Sequence, residues 1–322
     1  MTTWTQKPSQ SQGAGAPSPH RWSPSLDTPQ ATPEVIPALA TQAASGAFPS
    51  TVCHHGEIHT DENGFVTALM VRELERWPGT GEAVGRALDF LERCRGASGA
   101  FHFYPPGEEP SWMGRRLAAD ADDTALFAST LLAHGRLSLD AVDRLIDEVL
   151  EPFRVHYRPS TEPSWVWQGC YRTWLDPKAR PNPVDCCVNA NVAAFLAAAG
   201  RTGHSGYAAA VRTVTAGVRW AGTVEWQARA LTPWYPHPAE LLHALTRAVA
   251  AGVEELTGAL AECAAQPWAA AGDNGPERPV CGSLAGKTFW TCPALQALRQ
   301  AAAPGLWLHP LSPAISRKET SL

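Results

Sequence analysis

From residue 61 onward apolar side chains recur at spacings of three and four, in stretches separated by loops, and the alternating β-branched texture of strands is nearly missing. The pattern predicts an all-α protein. A first helix is expected over 63–76, after polar Thr60-Asp61-Glu62, with Phe65, Leu69 and Leu74 on its buried side and Pro78-Gly79 ending it. Its partner, 82–94, presents Val84, Leu88 and Leu91. The next pair is 118–134 and 138–151, broken at Gly135; Ser138 and Asp140 start the second helix, and Leu139, Val142, Leu145, Ile146 and Val149 line one face. Further pairs are 185–199 with 205–220 and 239–250 with 253–264, and a last helix follows Pro293. Hairpins of this kind, about five to six of them, close naturally into an α/α toroid. The inner helices of such a barrel aim their N-terminal ends at a common cavity.

The first 45 residues are rich in Pro, Ser, Thr, Gln and Ala and lack periodicity, so a disordered tail is expected over 1–45, a single domain over 46–310 and a flexible tail over 311–322. With 322 residues, 44% hydrophobic and 18% charged, the chain can bury one large core or two smaller ones. A net charge of -5, with basic residues clustered no further than pairs such as Arg115-Arg116, argues against a nucleic-acid partner. No apolar run approaches the ~18 residues of a membrane span, and no compact apolar segment marks a secretory leader. Eight cysteines, two of them adjacent (Cys186, Cys187), are expected to stay reduced in a cytoplasmic protein. Cys53-His54-His55 with His59 reads as an exposed loop or as a set of metal ligands.

The chemistry concentrates in Asp120-Ala121-Asp122-Asp123-Thr124-Ala125, at the start of an otherwise apolar helix. One acid would suffice as a cap. Three neighbouring carboxyls resist ionising together, and burial adds to that resistance, so at least one keeps its proton at neutral pH. A second polar group, 182–191, opens another inner helix. Asp185 and Asn189 share a face four residues apart; Asp185 reads as a cap, and Asn189 and Asn191 meet either neighbouring loops or the Asp120 cluster and substrate.

The motif resembles that of the class II terpene cyclases, the squalene-hopene and copalyl-type cyclases, at every specified position of Asp-x-Asp-Asp-Thr-Ala. The aromatic repeat of that superfamily, shared with prenyltransferases and squalene oxidase repeat proteins, is matched more loosely. Here it reads Phe90-Leu91, Arg95 in place of Gln, and Gly99-Ala100-Phe101 in place of Gly-x-Trp; a further echo lies at Gln168-Gly169-Cys170-Tyr171-Arg172-Thr173-Trp174. The resemblance implies a single-domain toroid enzyme that cyclises a linear, hydrophobic isoprenoid. Asp122 would protonate an alkene or epoxide, tuned by Asp120 and Asp123, with Thr124 orienting the proton. No cofactor is required for protonation; Mg²⁺ enters only if the substrate is a diphosphate. Loose candidates for holding that group are Asp61-Glu62, Arg115, Arg116, Arg154, Arg158, Arg172 and Lys287. Candidates for the substrate-facing wall are Trp112, Trp165, Trp167, Trp174, Trp226, Trp234, Tyr235, Phe289 and Trp290, whose ring faces stabilise cations, together with Asp185 and Asn189.

Alternatives remain open at this point. Asp185-x-Cys187 with His237 or His243 matches, in part, the zinc ligands of protein prenyltransferase β subunits. The acids could also serve metal or acid-base chemistry outside terpenoids, or the barrel could only bind a partner. Class II cyclases place their site between two α/α domains, and this chain has room for one. Loops 105–116 and 152–183, a second copy in a homodimer, or another chain would have to close the cavity against water.

Overall fold

The structure, a computed structural model, describes residues 32–302 except 34, 115 and 271–276. About half of it is helical. The helices are α1 (Ile36–Leu39), α2 (Gly64–Leu74), α3 (Gly81–Arg93), α4 (Ala121–Ala133), α5 (Leu139–Arg144), α6 (Cys186–Ala198), α7 (Ser205–Ala221), α8 (Glu225–Leu231), α9 (Ala239–Ala250), α10 (Thr257–Ala264), α11 (Pro267–Ala270) and α12 (Pro293–Ala301). Burial sorts them into two layers. Ten of eleven residues are buried in α2, twelve of thirteen in α4 and eleven of thirteen in α6, whereas α3 buries six of thirteen and α7 nine of seventeen. A helix apolar all round is a core helix; one with a single apolar stripe covers it. Accordingly α2, α4, α6 and α9 pack side by side in that order, with α3, α7 and α10 against α2, α6 and α9 respectively.

The expectation of an all-α chain needs correction. Four short strands, β1 (Ser50–His54), β2 (Glu57–Asp61), β3 (Pro279–Gly282) and β4 (Thr288–Thr291), form an antiparallel sheet in the order β2-β1-β4-β3. His55 (φ 51°) and Gly56 (φ 89°) form the two-residue turn between β1 and β2. Two positive φ values in a two-residue loop give the mirror-type turn whose twist matches that of the strands it joins. Cys53, His54 and His59 are therefore strand residues, not an exposed loop. Strands of four or five residues are too short for alternation to stand out from a helical background.

The sheet also brings the two ends of the described chain together, since Val52 pairs with Trp290 across β1 and β4. Helix α12 packs on α2, and Arg299 of α12 reaches Glu240 of α9 through two bonds of 2.8 and 3.1 Å.

Smaller departures have local causes. The helix expected over 138–151 begins as α5, widens to a π-helix over Leu145–Leu150, and ends in a 3-10 turn, Glu151–Phe153, at Pro152. The tail expected over 1–45 lies outside the described residues up to 31, but it does not extend to 45: Val35 and Ala38 are buried, and α1 packs on α12. The tail expected over 311–322 lies outside the described residues. Among those described, no helix is long and apolar enough to cross a membrane. All eight cysteines are free, and seven are buried.

Close approach of α2 and α4 depends on Gly64. A Cβ there would stand 2.5 Å from the Phe127 ring and 2.9 Å from Cys94 Sγ, and both side chains are fully buried. Gly64→Ala is expected to destabilise the protein by ~1–3 kcal/mol through overpacking, read as a lowered midpoint in urea at unchanged slope.

Candidate active site

Three inner helices start in the same way, and that repetition separates structural polar residues from the rest. The cap of α2 is Asn63, which accepts the Val66 N–H at 2.8 Å; four residues on, Thr67 Oγ1 accepts the backbone N–H of Phe48 at 3.1 Å. Asp120 caps α4 by accepting the Asp123 N–H at 2.6 Å, and Thr124 Oγ1 accepts the N–H of Phe101 at 3.0 Å. Asp185 caps α6, and Asn189 exchanges two 3.0 Å bonds with the backbone of Tyr171. Phe48, Phe101 and Tyr171 are all fully buried. In each case a cap, and a polar side chain four residues later, clamp an upstream aromatic onto the helix start, Phe48 from ahead of β1 and Phe101 and Tyr171 from the loops leading into α4 and α6.

The positions between do not repeat. Where α4 has Asp122, α2 has Phe65 and α6 has Cys187; where α4 has Asp123, the others have Val66 and Val188. Asp122 and Asp123 are thus the carboxyls that the helix starts do not need. Thr124, expected to orient a proton, is used by the clamp, as are Asp185 and Asn189, expected to meet substrate. None of the three lines the cavity. Asp185 is further engaged by the Trp234 N–H at 3.3 Å.

The trio is dry. Asp120 is 8%, Asp122 6% and Asp123 1% exposed. Burial, then the Asp122 charge, pushes Asp120 up to about 8, against the pull of the Asp123 N–H. Asp123 is raised well above the carboxylate range by burial and by its two neighbours; its Oδ2 meets no hydrogen-bond partner among the described residues. Asp122 is raised by burial, while bonds from Asn191 and Tyr235 and the Arg247 charge oppose the rise. Asn191 Nδ2 donates to Asp122 Oδ1 at 2.7 Å, and the Tyr235 hydroxyl donates to Oδ2. The net effect is a cluster that holds protons at neutral pH.

The acids open onto a cavity with about 820 Å³ of empty space, counted out to its open mouth. Its wall is aromatic: Phe65, Phe103, Trp112, Trp174, Trp234, Tyr235 and Trp290. Their orientations are fixed from behind. Trp290 donates its indole N–H to Asp61 at 2.8 Å and meets the Phe103 ring edge-on at 5.0 Å; Trp174 and Trp234 meet edge-on at 5.1 Å. Antiparallel bonds between 119–121 and 173–175 bring Trp174 beside Asp120. Residues near the starts of α2, α4, α6 and α9 all border this space.

No protein-family model matches the chain, and no curated protein does. The site is therefore read from its own geometry. Of the expected wall residues, Trp112, Trp174, Trp234, Tyr235 and Trp290 are in place. Trp167 is not: it lies outside the cavity, 45% exposed under the Arg212 guanidinium. Trp165, Trp226 and Phe289 also lie outside. Ring-bearing residues of the wall that were not anticipated are Phe65, Phe103 and His54; the repeat signals Phe65, which occupies the position of Asp122 in α2. Asn191 meets the acid cluster, one of its two expected roles. The set Asp185, Cys187 and His237 or His243 does not form a metal site, for among the described residues no three such side chains converge to hold an ion. Asp61 is spent on Ser50, Asn63, Tyr104 and Trp290.

Two outcomes follow. Thr124→Val strands the buried Phe101 N–H and is expected to cost ~1–3 kcal/mol in denaturant unfolding. Asp120, ordinarily near 3.8, holds its proton to about 8 when folded. The unfolded chain releases that proton first, so the contribution of Asp120 to stability is complete below about pH 4 and declines as pH rises towards 8. Asp120→Asn keeps the cap and removes this slope of up to ~1.4 kcal/mol per pH unit; unfolding of both proteins at several pH values between 4 and 8 measures the difference.

Proposed function

We propose that the protein is an acid-initiated cyclase of a linear isoprenoid, built on a single α/α toroid of the class II terpene cyclase type. One observation carries the reading: the two carboxyls exempt from the helix-start clamp stand buried at the wall of an aromatic cavity, where burial raises their hold on a proton. The packing of α12 on α2, and its Arg299 bonds to Glu240 of α9, support the toroid.

Asp122 is the proton donor. Its O–H bond breaks as a C–H bond forms at one carbon of an alkene, or an O–H bond at an epoxide oxygen, and the neighbouring carbon takes the positive charge. Internal alkenes then capture that charge in turn, closing rings, until the last cation loses a C–H proton to water at the mouth and becomes an alkene; Asp122 regains a proton from water. Wall aromatics present negative faces to the cation along its path. Asp120 and Asp123 keep negative charge scarce, so the proton stays on the cluster until substrate arrives.

The substrate portion inside the cavity is hydrocarbon. Among the described residues no arginine or lysine lines it, whereas Arg116 borders a groove outside, next to Leu117, Trp174 and Trp234 of the cavity wall. Arg154 is tied to Glu151 and the Gly169 carbonyl, Arg158 to the Ser164 and Val166 carbonyls, and Arg172 to Glu162 and the Asn182 carbonyl. A diphosphate head, with Mg²⁺ where needed, would stay at the mouth. Two connecting loops narrow that mouth: Trp112, stacked on His59 at 5.0 Å, comes from one, and Trp174 from the other. A second copy of the chain, or another chain, would complete the exclusion of water.

Incubation of wild type and Asp122→Asn with linear prenyl diphosphates and squalene-like polyenes, followed by product analysis, tests the reading. Wild type is expected to form cyclic products. Asp122→Asn is expected to lose at least ~10³-fold in rate while keeping its unfolding temperature within a few degrees. Wild type that converts none of these substrates would overturn the assignment.

A further inference from the structure

The hydrogen-bond chain continues behind Asp122, away from the cavity. Asn191, whose Nδ2 donates to Asp122 Oδ1 at 2.7 Å, accepts at its Oδ1 from the Arg247 guanidinium at 3.3 Å. A permanent cation on one side settles the amide: its oxygen faces Arg247, so its N–H groups face the carboxyl. Asn191 is 2% exposed and lies on α6, while Arg247 lies on α9, so two core helices hold the relay in register.

Arg247 is an expensive residue in this position. Burial weighs against its charge, as does the neighbouring Arg299. Its Nε has no hydrogen-bond partner, and Asn191 is its one hydrogen-bonded acceptor among the described residues. The carboxylate on its own helix, Glu240, is bound by Arg299 and Arg278 instead. A buried guanidinium without a bonded carboxylate costs several kcal/mol, and costs of that kind persist where a site uses them.

The use lies in a conflict within the acid itself. Burial favours a proton on Asp122, but the same burial makes it a poor donor, because it penalises the carboxylate that remains. A strong acid needs its conjugate base stabilised at the moment charge appears, by a group already in place. We propose that Arg247, acting through the Asn191 amide, is the counter-ion for the carboxylate that Asp122 becomes when it gives up its proton. The inference rests on Asp122 being the donor. As the O–H bond breaks and the C–H bond forms, the negative charge left on the carboxyl is met by the Asn191 N–H, backed by the guanidinium. Arg247 touches neither substrate nor the reacting atoms, so it is a positioning residue.

The other charges around the relay do not replace it. Asp120 and Asp123 on α4 and Asp185 at the start of α6 are acids, and Cys187 and Cys281 become negative on ionising; Tyr235, before α9, donates its hydroxyl to Asp122 Oδ2 but brings no positive charge. On the far side of Arg247 stand Glu240 and His243 of α9, Arg278 before β3, Arg299 of α12 and Arg76 after α2. Arg247 is the one cation of that group whose charge acts directly on Asp122.

The experiment follows the Asp122 carboxyl by its infrared C=O absorption against pH, isolated by subtracting Asp122→Asn, in wild type, Arg247→Gln and Arg247→Lys. Arg247→Gln retains a donor to Asn191 but removes the charge. It is expected to move the Asp122 titration up by about one pH unit or more, to shift the alkaline limb of the pH-rate profile the same way, and to lower kcat ~10²-fold at similar KM. Arg247→Lys restores most of both. Removing an unpaired buried cation is not expected to lower the unfolding temperature, so folded Arg247→Gln is obtainable; Asn191→Leu, which cuts the relay at its middle, provides an independent variant with the same expected shift. A titration unmoved in Arg247→Gln and Asn191→Leu, with an active wild type, overturns the inference and leaves the cyclase reading standing. A shifted titration in a protein that converts no polyene upholds the coupling and removes the cyclase reading instead.

Discussion

The arrangement depends on one recurring bond: a polar side chain four residues past a helix cap, accepting a backbone N–H from an aromatic residue upstream of it. Thr67, Thr124 and Asn189 make it to Phe48, Phe101 and Tyr171. The bond is buried in all three units, so losing it would strand a peptide group away from water. Because it ties an upstream segment to the start of each of these inner helices, it sets where these helix starts lie and which residues of the loops turn inwards. The cavity is the space those starts surround.

That placement gives the acids their character. Helix N-terminal ends favour negative charge, the aromatic wall excludes water, and three carboxyls within four residues repel each other. The first effect lowers a carboxyl's proton affinity and the other two raise it. Burial dominates, as the direction of shift at Asp120, Asp122 and Asp123 shows. A proton is therefore stored rather than lost. For the proposed reaction, storing it is half the requirement; releasing it to a weakly basic alkene is the other half, and the Asn191–Arg247 relay provides for release without exposing the cluster to solvent.

Much of the helical framework is legible in the chain. The inner helices α2, α4 and α6 are strong apolar runs opened by Asn63, Asp120 and Asp185, and their expected bounds fall within three residues of the observed ones. What the periodicity hides is short or irregular. Strands β1 to β4 are four or five residues each, and only His55-Gly56 hints at the hairpin. The π-helical turn over Leu145–Leu150 keeps the apolar spacing of an ordinary helix, so no sequence signal separates the two. Trp167 and Trp174 lie in one loop seven residues apart and look equivalent, yet one faces solvent and the other the cavity. The difference comes from pairing of 173–175 with 119–121, a contact made across more than fifty residues.

Local pattern along the chain specifies most of the longer helices, the absence among them of an apolar run long enough to cross a membrane, and the six-residue acidic motif, because propensity, capping and like-charge repulsion are local. Only the tertiary structure decided which polar residues serve the fold and which are left for chemistry. Thr124, Asp185 and Asn189 resemble site residues until their partners are seen, and Arg247 resembles nothing in particular until α9 lies beside α6. Hydrogen-bond partners and burial are properties of chain segments brought together, and no window along the chain contains both members of those pairs.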